Sequence, residues 1–129
     1  MADKKKVLII DDEEDICAFT KSMLERSGRF EVITSTDSQT AISLAKNNRP
    51  DIVLLDINMP LMDGGEVAQS IRDFQPISQI PIIFITALLK KEELDAQAGG
   101  KIGRNYFLAK PIAPQELISK IDSILQKPD

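Results

Sequence analysis

Val7-Leu8-Ile9-Ile10-Asp11-Asp12 decides the fold, because four consecutive apolar residues close on two carboxylates. A strand with one wet face alternates apolar and polar residues; an unbroken apolar run suits a strand covered on both faces. The same pattern returns three times. Ile52-Val53-Leu54-Leu55 closes on Asp56, Ile82-Ile83-Phe84-Ile85 on Thr86, and Tyr106-Phe107-Leu108-Ala109 on Lys110. These read as buried parallel strands with polar groups at their carboxyl tips, and open α/β sheets bind ligands outside those tips.

Helical spacing fills the intervals. Ile16, Phe19, Thr20, Met23 and Leu24 predict an inward stripe ending near Ser27-Gly28. Phe30-Glu31-Val32-Ile33 alternates in part, as an edge strand does. Asp37 or Ser38 can cap a second helix that turns Ala41, Leu44 and Ala45 inward and stops at Asn47-Asn48-Arg49-Pro50. Val67, Ala68, Ile71 and Phe74 stripe a third helix that starts near Asp63-Gly64, and Leu88 to Ala98 predicts a weaker fourth. Leu117, Ile118, Ile121, Ile124 and Leu125 stripe the last, with Pro114 in its first turn, where no N–H donor is needed.

Strands joined by helical crossovers are parallel, and the crossovers are right-handed. Placing the three most apolar strands centrally and the second and fifth at the edges predicts a flavodoxin-like, doubly wound five-stranded α/β sheet. Its order is 2-1-3-4-5, with helices on both faces. The switch point then falls between strands one and three, where Asp11, Asp12 and Asp56 meet.

A chain of 129 residues without repeats or linker-like tracts is expected to be one domain, residues 1–129, with its core over about 6–126. A net charge of −4 argues against direct nucleic-acid binding, and Lys4-Lys5-Lys6 reads as a solvated tail. Cys17 is the only cysteine, which leaves no disulfide framework and suits a small core residue. No stretch reaches the length of a membrane span and no signal peptide is read at the start, so a cytoplasmic location is expected. The chain has no histidine, which excludes imidazole metal sites, His-based triads and a phosphohistidine of its own.

Carboxylates forced together repel: at about 4 Å and an effective dielectric near 20, each pair costs roughly 4 kcal/mol. Three at adjacent tips need a cation, or some stay protonated. Oxygen ligands without Cys or His suit a hard ion, Mg²⁺ above all, which shares itself with phosphate oxygens. Pro111 biases Lys110 toward extended backbone, which carries its ammonium to the pocket. Thr86 offers a hydroxyl at a central tip, and Ala87 leaves room for a phosphoryl group.

Asp11-Asp12, Asp56-Ile57-Asn58-Met59-Pro60, Met62-Asp63-Gly64, Thr86-Ala87 and Lys110-Pro111 resemble, in order and spacing, the CheY-like receiver domain of two-component response regulators. The resemblance implies a phosphoprotein of signal transduction, not an enzyme beyond Mg²⁺-dependent self-phosphorylation and autodephosphorylation. Asp56 would accept a phosphoryl group from a sensor histidine kinase or phosphotransfer protein of a phosphorelay. Asp11, Asp12, Asp56 and the backbone carbonyl of Asn58 would hold Mg²⁺, while Thr86 and Lys110 contact the phosphoryl oxygens. The switch aromatic, three residues before the lysine, is Phe107, with Tyr106 as second choice. The implied downstream partner is another protein or an output domain, and a phosphorylation-dependent homodimer is allowed.

Three local departures carry expectations. Leu88 is apolar and would shield the phosphoryl group from water, predicting a longer-lived phosphoaspartate than a polar residue there. Gly99 to Asn105 is a long, glycine-rich approach to the fifth strand. Ala113 stands where a Ser or Thr cap is usual, at a cost on the order of 1 kcal/mol. Two other readings compete. A haloacid-dehalogenase-type phosphatase needs Asp-x-Asp, but Ile57-Asn58 follows Asp56. A non-phosphorylated pseudo-receiver acting as an interaction module usually lacks the acceptor or the lysine, and both are present.

Overall fold

In a computed structural model of the chain, the described residues are 4–56, 64–74, 79–86, 101–102, 105–109 and 113–126. Along the chain they form β1 (Lys5–Ile10), α1 (Glu14–Arg26), β2 (Phe30–Ser35), α2 (Ser38–Asn48), β3 (Ile52–Asp56), α3 (Gly64–Asp73), β4 (Ile82–Thr86), β5 (Lys101–Ile102), β6 (Asn105–Ala109) and α4 (Pro114–Gln126). The helix expected over Leu88 to Ala98 lies outside the described residues.

The sheet runs β2-β1-β3-β4-β6-β5. Its first five members pair in parallel and reproduce the predicted order 2-1-3-4-5. One correction concerns the edge. The fifth parallel strand, β6, is not outermost: Lys101 and Ile102 pair antiparallel with Tyr106 and Asn105. The glycine-rich approach therefore supplies a two-residue edge, and very short edge strands discourage pairing with other chains.

Strand alternation sorts the core into two layers. Val7, Ile9, Ile52, Leu54, Ile83 and Ile85 point to the side covered by α1 and α4, where Cys17, Leu24, Leu117 and Ile121 meet them. Leu8, Ile10, Val53, Leu55, Ile82 and Phe84 point to the other side, against Ala41 and Ala45 of α2 and Val67, Ala68 and Ile71 of α3. Both faces of the central strands are thus dry, which is why their sequences do not alternate.

A second correction falls on α1. Cys17, Thr20 and Leu24 are its buried residues, with Ile16 and Met23 partly covered, but Phe19 is 61% exposed. At about 100° per residue, Phe19 stands roughly 130° from the centre of the Cys17–Thr20–Leu24 stripe. The apolar spacing is correct; Phe19 lies beyond its edge.

Helix ends follow from local chemistry. Asp37 caps α2, its carboxylate accepting the N–H groups of Gln39 and Thr40. Arg49, which ends α2 before Pro50, has a left-handed φ of 47°, and a following proline disfavours the right-handed helical region. Gly28, at φ 77° just after α1, takes the same region without a Cβ penalty. Ala113 does stand at the start of α4, where its carbonyl accepts the Leu117 N–H at 3.0 Å.

Candidate functional site

Three carboxylates converge where the strand order reverses. Ile10 of β1 is in register with Leu55 of β3, so the next residues, Asp11 and Asp56, emerge side by side at the carboxyl edge. One oxygen from each of Asp11, Asp12 and Asp56 lies within 4.8 Å of the others. Asp11 and Asp56 are only 3% and 5% exposed, and Asp12 is half-buried at the mouth. At this spacing, with an effective dielectric near 20, each charged pair repels by roughly 3–4 kcal/mol.

Main-chain donors fix the first carboxylate. The Asp11 N–H donates to the Ser35 carbonyl at 3.1 Å, tying the tip of β1 to that of β2. Asp11 Oδ1 accepts the Glu13 N–H at 3.0 Å, at the entry to α1. The start of the helix therefore orients the carboxylate, and its partial positive charge favours an anion there. Nothing in the residue type at position 13 announces this role, because the donor is backbone. Glu13, Glu14 and Asp15 are exposed around the same mouth.

Beneath the cluster, the buried Cys17 directs its Sγ toward the carbonyls of Asp11, at 3.4 Å, and Ser35, at 3.9 Å. Burial first, and then the charge of Asp11, push its thiol up to about 11. Cys17 is therefore a neutral floor to the pocket and not a nucleophile.

The other tips stand in sequence across the sheet. Asp56 is in register with Ile85, and Thr86, the last residue of β4, with Ala109 of β6. Lys110 follows Ala109 directly in the chain. Asn58, Ala87, Leu88 and Lys110 lie outside the described residues, and Thr86 is described in its backbone alone.

The two aromatic candidates separate onto opposite faces. Tyr106 packs with the α1 and α4 layer, and the Lys120 ammonium lies 5.7 Å from its ring centre. Phe107 packs with the α2 and α3 layer, half-buried, its ring centre 5.3 Å from that of Phe84 with 25° between the planes. The sequence reading did not single out Phe84. Its place inside an apolar run signals burial but not which ring lies beside it.

An all-oxygen trio with two buried members fits a small hard cation. Added positive charge offsets the mutual repulsion, and the half-buried Asp12 leaves the cluster open to solvent on one side. The arrangement can concentrate a divalent ion beside two buried carboxylates. No described helix is long and apolar enough to cross a membrane.

Comparison with known proteins bears on the same residues. The family described as "Response regulator receiver domain" matches residues 7–122. Among curated relatives, the alkaline phosphatase synthesis transcriptional regulatory protein PhoP of Bacillus subtilis is 37% identical over 95% of this chain and 49% of its own length. The probable transcriptional regulator ycf27 of Guillardia theta is 39% identical over 96% of this chain and 46% of its own. The chain thus spans about half the length of the curated relatives it matches. Among solved structures, the Vibrio cholerae chemotaxis protein CheY4 superposes with a TM-score of 0.80 at 29% identity, covering 95% of this chain and 100% of that one.

Proposed function

The chain belongs to the response regulator receiver domain family of two-component systems, and from that premise we propose that it is a phosphorylatable switch with Asp56 as the acceptor. The observation that carries the proposal is the carboxylate trio at the switch point, with an oxygen of each within 4.8 Å of the others. A lone buried aspartate would be raised in pKa and spoiled as a nucleophile. An aspartate beside two further acids is suited to work with a bound cation.

In this reading Asp11, Asp12, Asp56 and the carbonyl of Asn58 would hold Mg²⁺, which when bound would offset negative charge on the acceptor and the transferring group. An Asp56 carboxylate oxygen forms a bond to phosphorus as the P–N bond of a phosphohistidine breaks. The imidazole leaves with that electron pair. The Glu13 N–H keeps Asp11 aimed at the pocket throughout. Thr86 and Lys110 receive the new phosphoryl oxygens by hydrogen bonding and charge, the arrangement that phosphoryl transfer needs. Water later cleaves the P–O bond of the acyl phosphate, releasing inorganic phosphate and restoring Asp56. Leu88, two residues after Thr86 in the chain, slows that step.

Phosphorylation then biases an existing two-state equilibrium. Phe107 is the aromatic that reports it. Its half-buried ring on the α2 and α3 side supports this assignment, as does the packing of Tyr106 beneath Lys120 on the opposite face. The donor is a sensor histidine kinase or phosphotransfer protein in the cytoplasm. The receiver of the signal is another protein or an output domain.

Intact-mass analysis after incubation with Mg²⁺ and acetyl phosphate tests the reading. The wild-type chain gains the mass of one phosphoryl group, and Asp56→Asn gains nothing. A wild-type chain that never gains it is a binding module and not a phosphorylatable switch.

A further inference from the structure

We propose that Phe84 is a positioning residue of the switch: a fixed ring that holds Phe107, so that the pair, and not Phe107 alone, sets the balance between the two states. This deepens the functional reading above and rests on it.

The argument begins with register. Phe84 lies between Leu55 of β3 and Phe107 of β6 in one cross-sheet row. Leu55 directly precedes Asp56, and Phe84 stands two residues before Thr86. The row therefore runs from the strand of the acceptor, through the strand of the hydroxyl, to the aromatic. A displacement of the β4 tip relative to β6 changes how the two rings overlap.

The rings are unequal. Phe84 is 6% exposed, whereas Phe107 is only half-buried. Their centres are 5.3 Å apart at an interplanar angle of 25°, an offset stack within the favourable range for aromatic pairs. Phe107 has no phenol hydroxyl, so no hydrogen bond of its ring can anchor it. Packing and ring electrostatics alone decide its place, and Phe84 is the ring partner found for it among the described residues. A buried ring packed on both sides next to a half-buried ring makes a reference surface: the inner member defines the position and the outer one moves from it.

Tyr106 shows the contrast. Its ring is held by the Lys120 ammonium on the opposite side of the sheet, away from this row. It reports the attachment of α4, not the state of the β4 tip.

A purely structural role for Phe84 would lower thermal stability and leave the switch equilibrium alone, so the test reads both. The full chain is titrated with beryllofluoride in the presence of Mg²⁺, as wild type, Phe84→Leu, Phe107→Leu and the double variant. Phe84→Met serves as a second replacement should the leucine variant not fold. The stacking of one aromatic pair corresponds to a two- to tenfold change in affinity. Each single variant is expected to change beryllofluoride affinity by roughly that factor, and the second substitution to add no further change in the background of the first. In the free protein, 4-fluorophenylalanine placed at position 107 shows a fluorine shift that moves when Phe84 is replaced.

Affinities unchanged in Phe84→Leu and Phe84→Met with only a lower melting temperature, or effects that simply add, overturn the proposal. A wild-type chain that binds no beryllofluoride overturns the functional reading itself, and the proposal with it. Binding in wild type with additive variants overturns only the role of Phe84.

Discussion

The two ends of the sheet use the same residue type for opposite purposes. At the carboxyl end, Asp11, Asp12 and Asp56 crowd within 4.8 Å, an arrangement that opposes folding unless something positive joins it. At the amino end, Asp51 stands just before β3 and its carboxylate accepts the Lys6 N–H at 2.7 Å. The Asp51 N–H returns a bond to the Lys6 carbonyl at 2.8 Å, and the Lys6 ammonium donates to the Asn48 carbonyl at 3.3 Å. Nearby, Arg29 pairs with Asp122, joining the approach to β2 to α4. One end crowds like charges at a cost in stability; the other ties strands and α4 together with hydrogen bonds and an ion pair.

An inert acidic end would erase the difference between the two ends. Asp56→Asn is expected to abolish phosphoryl uptake while leaving the fold intact. Without metal, Asp12→Asn should raise the melting temperature, because a half-buried like charge has gone; partial exposure screens the gain to about 1 kcal/mol. With Mg²⁺ at about ten times its dissociation constant, the wild type gains about 1.4 kcal/mol, or roughly 5 °C, and Asp56→Asn gains much less. Calorimetry with and without Mg²⁺ reads both signs. A wild-type midpoint that ignores Mg²⁺ would contradict the assignment of the trio.

Cys17 sharpens the boundary between that end and the core beneath it. With its thiol pushed up to about 11 from 9.0, the thiolate fraction at pH 8 falls about a hundredfold below that of a free cysteine. Alkylation by iodoacetamide should be at least that much slower in the native chain than in urea. Rapid native labelling would mean that the pocket floor opens to solvent.

At the amino end the expected effects are energetic, not chemical. Asp51→Ala leaves the partly buried Lys6 N–H without its acceptor and should cost about 2 kcal/mol, roughly thirtyfold in the folding equilibrium. Asp51→Asn keeps an acceptor and loses less. Phosphoryl uptake per folded molecule stays unchanged in both. Uptake that fell in step with stability would show that the two ends are not separable.

Much of this contrast was legible in the residues, and the reasons differ by element. Four-residue apolar runs ending in Asp11 and Asp56 declared their burial and their neighbouring strand tips, because a strand dry on both faces admits few other patterns. Local chemistry narrowed the cap of α2 to Asp37 or Ser38, and the bonds from Gln39 and Thr40 assign it to Asp37. Asp51 did not declare itself, because its partner Lys6 is 45 positions away. Phe19 misled because its spacing from Ile16 matches the apolar stripe, and only the Cys17–Thr20–Leu24 contact fixes where that stripe ends. The two-residue β5 is too short for any period. The stack of Phe84 on Phe107 depends on register between strands, which local sequence does not contain.

The smallest effect tests whether Asp37, two residues past the tip of β2 and not one of the trio, behaves as a simple cap. The Asp37 side chain accepts from the Thr40 hydroxyl and from the N–H groups of Thr40 and Gln39. The Thr40 hydroxyl first, and then those N–H groups, lower its pKa below the ordinary 3.8. A depressed folded-state pKa contributes stability that is fully present above the unfolded value and is lost as pH falls through the folded one. The contribution of Asp37 should therefore be constant from neutral pH down to about 4 and fade only below that. Asp37→Asn, which caps without titrating, should track the wild type above that range and lose less below it. The carboxyl-end trio is expected to respond to Mg²⁺ near neutrality, where Asp37 is silent, so comparing the two variants under both conditions separates a charge that a cation relieves from one that caps a helix.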